Sequence, residues 1–248
     1  MKYNAAIELW HAFVLSLCMK FTDMIFFKRV VSLLLAIVLF SPVTKAQKIY
    51  NEITLTYKIS VSSTNEKSDL AKSLEGAILT VMVKGNQTRS DMVSPIGSES
   101  SLYDSRSGKG FILKEYSGQK LLITLNKDNW KQKNQYYHNL NFTIEPGLEK
   151  IANYNVKKAT AVLPNGKNFV VYFTPDHIVT NNQYNNSFDQ LPGIPVQFEL
   201  ESGNLIFRYD LSIVSTDQIL ASKFDLPKNG FRMMTYEDNQ QLKKGDKR

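Results

Sequence analysis

From Ile53 to Val61 the chain alternates apolar residues (Ile53, Leu55, Tyr57, Ile59, Val61) with polar ones (Thr54, Thr56, Lys58, Ser60). A period of two sends the two sets to opposite sides of an extended backbone, which predicts a strand with one dry face. Leu140, Phe142 and Ile144 repeat the pattern against Asn141, Thr143 and Glu145, and Phe169, Val171 and Phe173 flank Val170 and Tyr172. Leu205, Phe207, Tyr209, Leu211 and Ile213 are set against Arg208, Asp210 and Ser212. Long alternating strands predict an antiparallel sheet, dry on one face and wet on the other.

Turn chemistry separates these runs. Gly85-Asn86, Ser117-Gly118, Pro164-Asn165-Gly166 and Gly203-Asn204 supply residues that tolerate positive φ, and Asn-Gly between two strands is a strong hairpin signal. Consecutive strands should therefore be neighbours. Helical signal is confined to Asn65–Leu74 and Asn126–Tyr137, two short polar stretches. No internal repeat and no linker interrupts residues 47–238, which are expected to form a single β domain. A wide sheet with so few helices must close its apolar face on itself or hold something against it.

One apolar run is of another kind. Val30–Phe40 is unbroken, follows Lys28-Arg29, and is succeeded by Pro42 and by Thr44-Lys45-Ala46. A basic start, a short apolar middle and small residues at the cleavage positions predict an export signal over residues 24–46, cut after Ala46 to leave Gln47 first. The run is shorter than the roughly 20 residues of a membrane span. Residues 1–23 precede a signal already complete from Met24 and are expected to be an over-extended start. If the signal stayed uncut, it would be the chain's membrane contact.

Charge alters little. Of the formal +7, residues 1–46 hold +3, and the rest is scattered apart from a basic tail, expected to be disordered, over residues 239–248. This argues against a nucleic-acid partner. The single cysteine, Cys18, lies ahead of the cleavage position, so the exported domain can form neither a disulfide nor a cysteine metal site.

Catalytic patterns are lacking. His138 and His177 stand in no spacing that aims two ligands at one metal, and Asp176-His177 reads as a surface loop pair. There is no Gly-x-Ser-x-Gly elbow. Arg106-Ser107-Gly108-Lys109-Gly110 lacks the spacing of a phosphate cradle and reads as the tip of a hairpin between Leu102-Tyr103-Asp104 and Phe111-Ile112-Leu113. Leu191-Pro192-Gly193-Ile194-Pro195 suits a type II turn leading into an edge strand. No catalytic residue, metal ligand or cofactor is expected.

With that last string, preceded by Gln190, and with Lys84-Gly85-Asn86-Gln87-Thr88-Arg89, Tyr103-Asp104 and Lys157-Lys158-Ala159, the chain resembles exported bacterial domains of unassigned function in the GLPGLI and LolA-like group, over roughly residues 53–237. Gln190 stands for the first Gly of the namesake motif and Pro195 for its last Ile. The resemblance implies a strongly curved antiparallel sheet forming an unclosed half barrel, with two or three short helices lidding an apolar hollow that accepts acyl chains.

Three functions remain open at this point: a periplasmic or envelope binder of a lipid or lipoprotein acyl chain, a structural or interaction module of the envelope, and a hydrolase. If a hollow exists, its expected walls are Val196, Phe198, Leu205, Phe207, Tyr209 and Leu211. These occupy alternate positions on two strands joined at Gly203-Asn204 and share a face if the register keeps them together.

Overall fold

The computed structural model describes residues 47–64, 68–185 and 187–245. The segment read as an export signal, the residues ahead of it and Cys18 lie outside these residues. Among the described residues no helix is long and apolar enough to cross a membrane.

Six strands form one meander: β2 (Glu52–Ser63), β3 (Ile78–Lys84), β4 (Gln87–Ser94), β5 (Gly97–Asp104), β6 (Lys109–Tyr116) and β7 (Gln119–Leu125), each antiparallel to the next. The turns at Gly85-Asn86 and Ser117-Gly118 fall where the sequence predicts them, and the tip between β5 and β6 is Ser105–Gly108, which leaves Lys109 and Gly110 of the predicted tip inside β6. A second run contains β8 (Thr143–Ile144), β9 (Glu149–Ile151), β10 (Tyr154–Val162), β11 (Asn168–Thr174), β13 (Ile194–Ser202) and β14 (Leu205–Ser215). Strand β14 returns to pair with β2, so the two runs merge and, with one more strand at the β7 end, make one 13-stranded sheet whose ends do not meet. The fold is a mainly β, unclosed half barrel.

Two pairings are parallel. β1 (Lys48–Tyr50) lies beside β12 (His177–Val179), which places His177 in a strand rather than in the expected surface loop. β15 (Arg232–Thr235) lies beside β7 and covers that end of the sheet. The helices are short: α1 (Asp69–Leu74) after its Ser68 cap, α2 (Lys127–Asn134) and α3 (Tyr236–Gly245). Residues 239–245, read from sequence as part of a disordered tail, belong to α3.

The inner face of β2 is as dry as its alternation requires. Ile53, Leu55, Tyr57 and Ile59 are buried and meet Val156, Val171, Phe173, Ile194 and Val196 in one core. Burial of each such side chain is worth roughly 1.5–3 kcal/mol. The same alternation holds in β11 and in the first half of β14.

The local differences have physical causes. A bulge between Leu211 and Ile213 shifts the register of β14, so Ile213 turns out to 57% exposure and Val214 takes its place opposite Leu55. The strand expected over 140–145 keeps only Thr143–Ile144 in a ladder, although Leu140 stays buried. Pro195 lies in β13, which runs between β11 and β14 and is not an edge; a register shift next to Phe173 accommodates it, and its carbonyl accepts the Tyr57 hydroxyl at 2.9 Å. Gly193 does not take the positive φ of a type II turn. A Cβ there would stand 2.2 Å from the Thr174 carbonyl oxygen, so glycine is required by close backbone approach.

The chain beyond β14 crosses the outer face as a strap. Glu52 accepts the Ile219 N–H, Lys84 donates to the Ile219 carbonyl at 2.6 Å, and Arg89 to the Lys223 carbonyl at 2.6 Å. Leu226 and Phe231 then pack on Leu102, Leu113 and Leu122.

Candidate functional site

The register of β13 and β14 sets Phe198 opposite Tyr209, Leu200 opposite Phe207 and Ser202 opposite Leu205, so the six predicted wall residues do share the inner face. Four of them are closed off. Val196, Phe198, Tyr209 and Leu211 are buried in the core. Phe198 stacks on Tyr209 with centroids 4.7 Å apart, meets Phe188 edge-on at 4.6 Å and lies 5.8 Å from Tyr57. Such pairs add about 0.5–1.5 kcal/mol each beyond burial. Phe188 and Leu191, from the loop ahead of β13, cover this part of the face. Leu205 and Phe207 remain half-buried.

The middle of the meander's inner face is different. Reading across the ladders, Tyr57, Leu79, Met92, Glu99, Lys114 and Leu121 stand side by side, with Ser90 and Ser101 in the adjoining row. Lys114 and Glu99 form an ion pair at 2.7 Å, each side chain about one quarter exposed. Lys133 of α2 is exposed as a residue, with its Nζ 5.6 Å from the centre of the Trp130 ring; desolvation pulls its pKa below the ordinary lysine value, against the opposing pull of Glu99. Lys114 and Lys243 lower it further.

Across the opening, burial pushes the Tyr209 phenol up to about 12, helped by Tyr137 and Glu99. Glu99 likewise adds to the raised pKa of Tyr116. The inner face thus has a charged strip with the apolar Val61, Met92, Leu200 and Phe207 half-buried around it. The sequence does not display it, because a serine or lysine on a strand says nothing about which face it takes.

A second opening lies between β11 and β13, where a cavity of about 400 Å³ is lined by Tyr137, Lys167, Val170, Tyr172, Ile206 and Arg208 among others. Of the predicted wall residues it includes Phe198.

The histidines stand apart. The Tyr50 hydroxyl and His177 Nδ1 are 3.0 Å apart, and burial lowers the His177 pKa despite Asp176. His138 Nδ1 is 3.9 Å from Asp189, whose pKa burial raises while His138 opposes. That pairing links residues far apart in sequence and leaves no local motif. Among the described residues no three metal-ligating side chains gather.

No family model matches the sequence, and no curated protein does. Among solved structures, PNGF-II in a P21 crystal is similar at a TM-score of 0.44 and 13% identity, over 78% of this chain and 33% of that one. PNGF-II in a C2 crystal gives 0.41 and 13%, over 75% and 32%. A β-barrel-like protein of the domain of unknown function DUF1849 from Brucella abortus gives 0.32 and 8%, over 68% and 98%. The chain spans about a third of the length of PNGF-II. None of these findings assigns it to the GLPGLI or LolA-like group.

Proposed function

We propose that the protein is a non-catalytic binding module of the cell envelope, holding an amphiphile with an anionic head group against the inner face of its half barrel. One observation carries the reading: between two apolar clusters on that face lies a charged strip, with Lys114 paired to Glu99 at 2.7 Å and Lys133 within electrostatic reach of both. A partly buried ion pair adds little stability once its desolvation is counted, so packing alone does not account for it. The head group would meet the two lysines, and the chain would lie along Val61, Met92 and Phe207. The export signal read over residues 24–46 and the GLPGLI and LolA-like resemblance support the same compartment and ligand class.

Native mass spectrometry of the protein isolated from the envelope, with a fluorescent fatty-acid titration, tests this. Co-purified lipid is expected, together with probe binding that Lys114→Gln and Lys133→Gln weaken without lowering the melting temperature. Absence of lipid and of probe binding would sink it. A second reading, an interaction module without a lipid, is favoured by the packing of rings around Phe198, which fills the place where an acyl chain would enter beneath β13 and β14.

A further inference from the structure

Residues 187–192 close the inner face over the ring cluster. Phe188 is buried with its ring 5.9 Å from that of Phe169 and 4.6 Å from that of Phe198, and Leu191 is buried in the same core. The segment is hydrogen-bonded locally: the Ser187 N–H donates to Asn185 Oδ1, the Phe188 N–H to the Asn185 carbonyl and the Leu191 N–H to the Phe188 carbonyl. Beyond it, Ile194 enters the ladder opposite Thr174. Apolar burial therefore holds these residues down, and the ionisable tie to another element is Asp189, which faces His138 in the turn after α2. That tie is incomplete. His138 Nδ1 and Asp189 Oδ2 are 3.9 Å apart, too far for a hydrogen bond, and both His138 Nδ1 and Asp189 Oδ1 are buried without a hydrogen-bond partner. Buried polar atoms left unpaired are costly, and an approach of about 1 Å would make the bond.

We propose that the His138–Asp189 pair is a pH-dependent latch on residues 187–192, engaged in acid and released as pH rises through the range in which histidine titrates. With His138 protonated, the Asp189 carboxylate has a counter-charge within reach, and a charge-assisted hydrogen bond ties the segment to the turn after α2. With His138 neutral, a carboxylate stays covered with no opposite charge beside it. Burial raises the Asp189 pKa, and the sign agrees: a carboxyl that holds its proton more tightly when covered favours the covered state in acid and disfavours it as pH rises through the raised value.

The surrounding groups do not mask this titration. His138 is the charged side chain that acts on Asp189, whose further partners are its own N–H, the Gln190 N–H and the Gln190 side chain. Beside His138 in the chain stand Tyr136 and Tyr137, and in the stretch ahead of Phe188 stands Tyr184, whose phenol burial pushes up. Tyrosine carries no charge where histidine titrates. Release lets Phe188 leave the cluster and opens the rings of Phe169 and Phe198 to the concavity. The latch is separate from the strip around Glu99 and stands whether or not that strip binds an amphiphile.

Amide hydrogen exchange at Phe188 and Leu191, corrected for the intrinsic effect of pH on exchange, tests this in the purified protein between about pH 5 and 8. Both amides are expected to be about tenfold less protected at the upper end, the effect of losing one hydrogen bond to a charged group, while those of Phe198 and Tyr209 keep their protection. Asp189→Asn and His138→Gln should each remove the difference, and the double variant should match the single ones. Protection retained at Phe198 and Tyr209 in these variants separates loss of the latch from loss of the fold. His177→Gln should behave as the parent. The uncharged dye Nile red should bind the parent more strongly as pH rises and bind Asp189→Asn equally throughout. The proposal fails if the parent shows no difference, or greater protection at the upper end, or if the difference survives in Asp189→Asn or in His138→Gln. A flat dye response in the parent would overturn the opening of the ring cluster.

Discussion

The two halves of this sheet solve the same burial problem differently. Around β2, β11, β13 and β14 most apolar side chains go to one side, and a single core of aliphatic and aromatic residues results, with Val170, Ile206 and Ile213 facing out. In β5, β6 and β7 they are divided: Tyr103, Ile112, Ile123 and Leu125 pack inward with Trp130 and Tyr236, while Leu102, Leu113 and Leu122 pack outward under the strap. A half that spends apolar residues on two small clusters can keep a charged strip on its inner face. A half with one contiguous core has no room for one. The difference teaches where to look for a ligand in such a sheet, on the half whose burial is divided.

Truncation should expose this contrast most strongly. Phe198→Ala, at the centre of the ring cluster, is expected to cost about 3–5 kcal/mol in urea unfolding. Phe207→Ala, half-buried on the neighbouring strand, should cost clearly less. Equal costs would mean that the core extends to the mouth of the half barrel.

Next in size is an alkaline effect. The folded pKa of Tyr209 is raised from 10 to about 12, so its contribution is complete below pH 10 and is lost as pH rises through 12. The loss amounts to about 3 kcal/mol at the upper limit. Melting followed across that range should fall steeply in the parent and less steeply in Tyr209→Phe; identical profiles would show that this phenol is not the group responsible.

Smaller again is Leu113→Ala in the outer cluster, expected at about 2 kcal/mol because few buried neighbours surround it. The smallest effect should come from Asn126, whose side chain accepts the Asp128 and Asn129 N–H groups at 2.9 Å each. Asn126→Ala is expected to cost about 1 kcal/mol. It should also loosen α2, which Asn129 ties to Glu237 of α3 at 2.7 Å, and so raise amide exchange in α3. Unchanged exchange there would show that the two helices are held independently.

The one-sided half was legible in the sequence because burial on one face imposes a period of two, as from Ile53 to Val61. The divided half was not. Its serines, glutamate and lysine on the inner face and leucines on the outer one cancel the alternation, and only turn residues such as Ser117-Gly118 betray the strands. The bulge after Leu211 and the end of the β11–β13 ladder at Phe198 are properties of register, set by partners more than a dozen residues away. The six residues predicted as a hollow's walls were correctly assigned to one face, but periodicity cannot tell a wall from a core. What covers them, Phe188 and Leu191, comes from a loop whose turn signal at Leu191–Pro195 carries no hydrophobic period to say which face it covers.

The pairing of β2 with β14 also has a consequence in time. β2 is made early, and its second edge finds no partner until residues 205–215 have been synthesised. Until then the meander offers a row of unpaired amides and carbonyls, with the side chains of Ile53, Leu55 and Tyr57 unroofed beside it. A contact between segments about 150 residues apart makes closure slow. A chain in that interval is the species a holding chaperone would recognise, and one that would join edge to edge with its own copies if left alone.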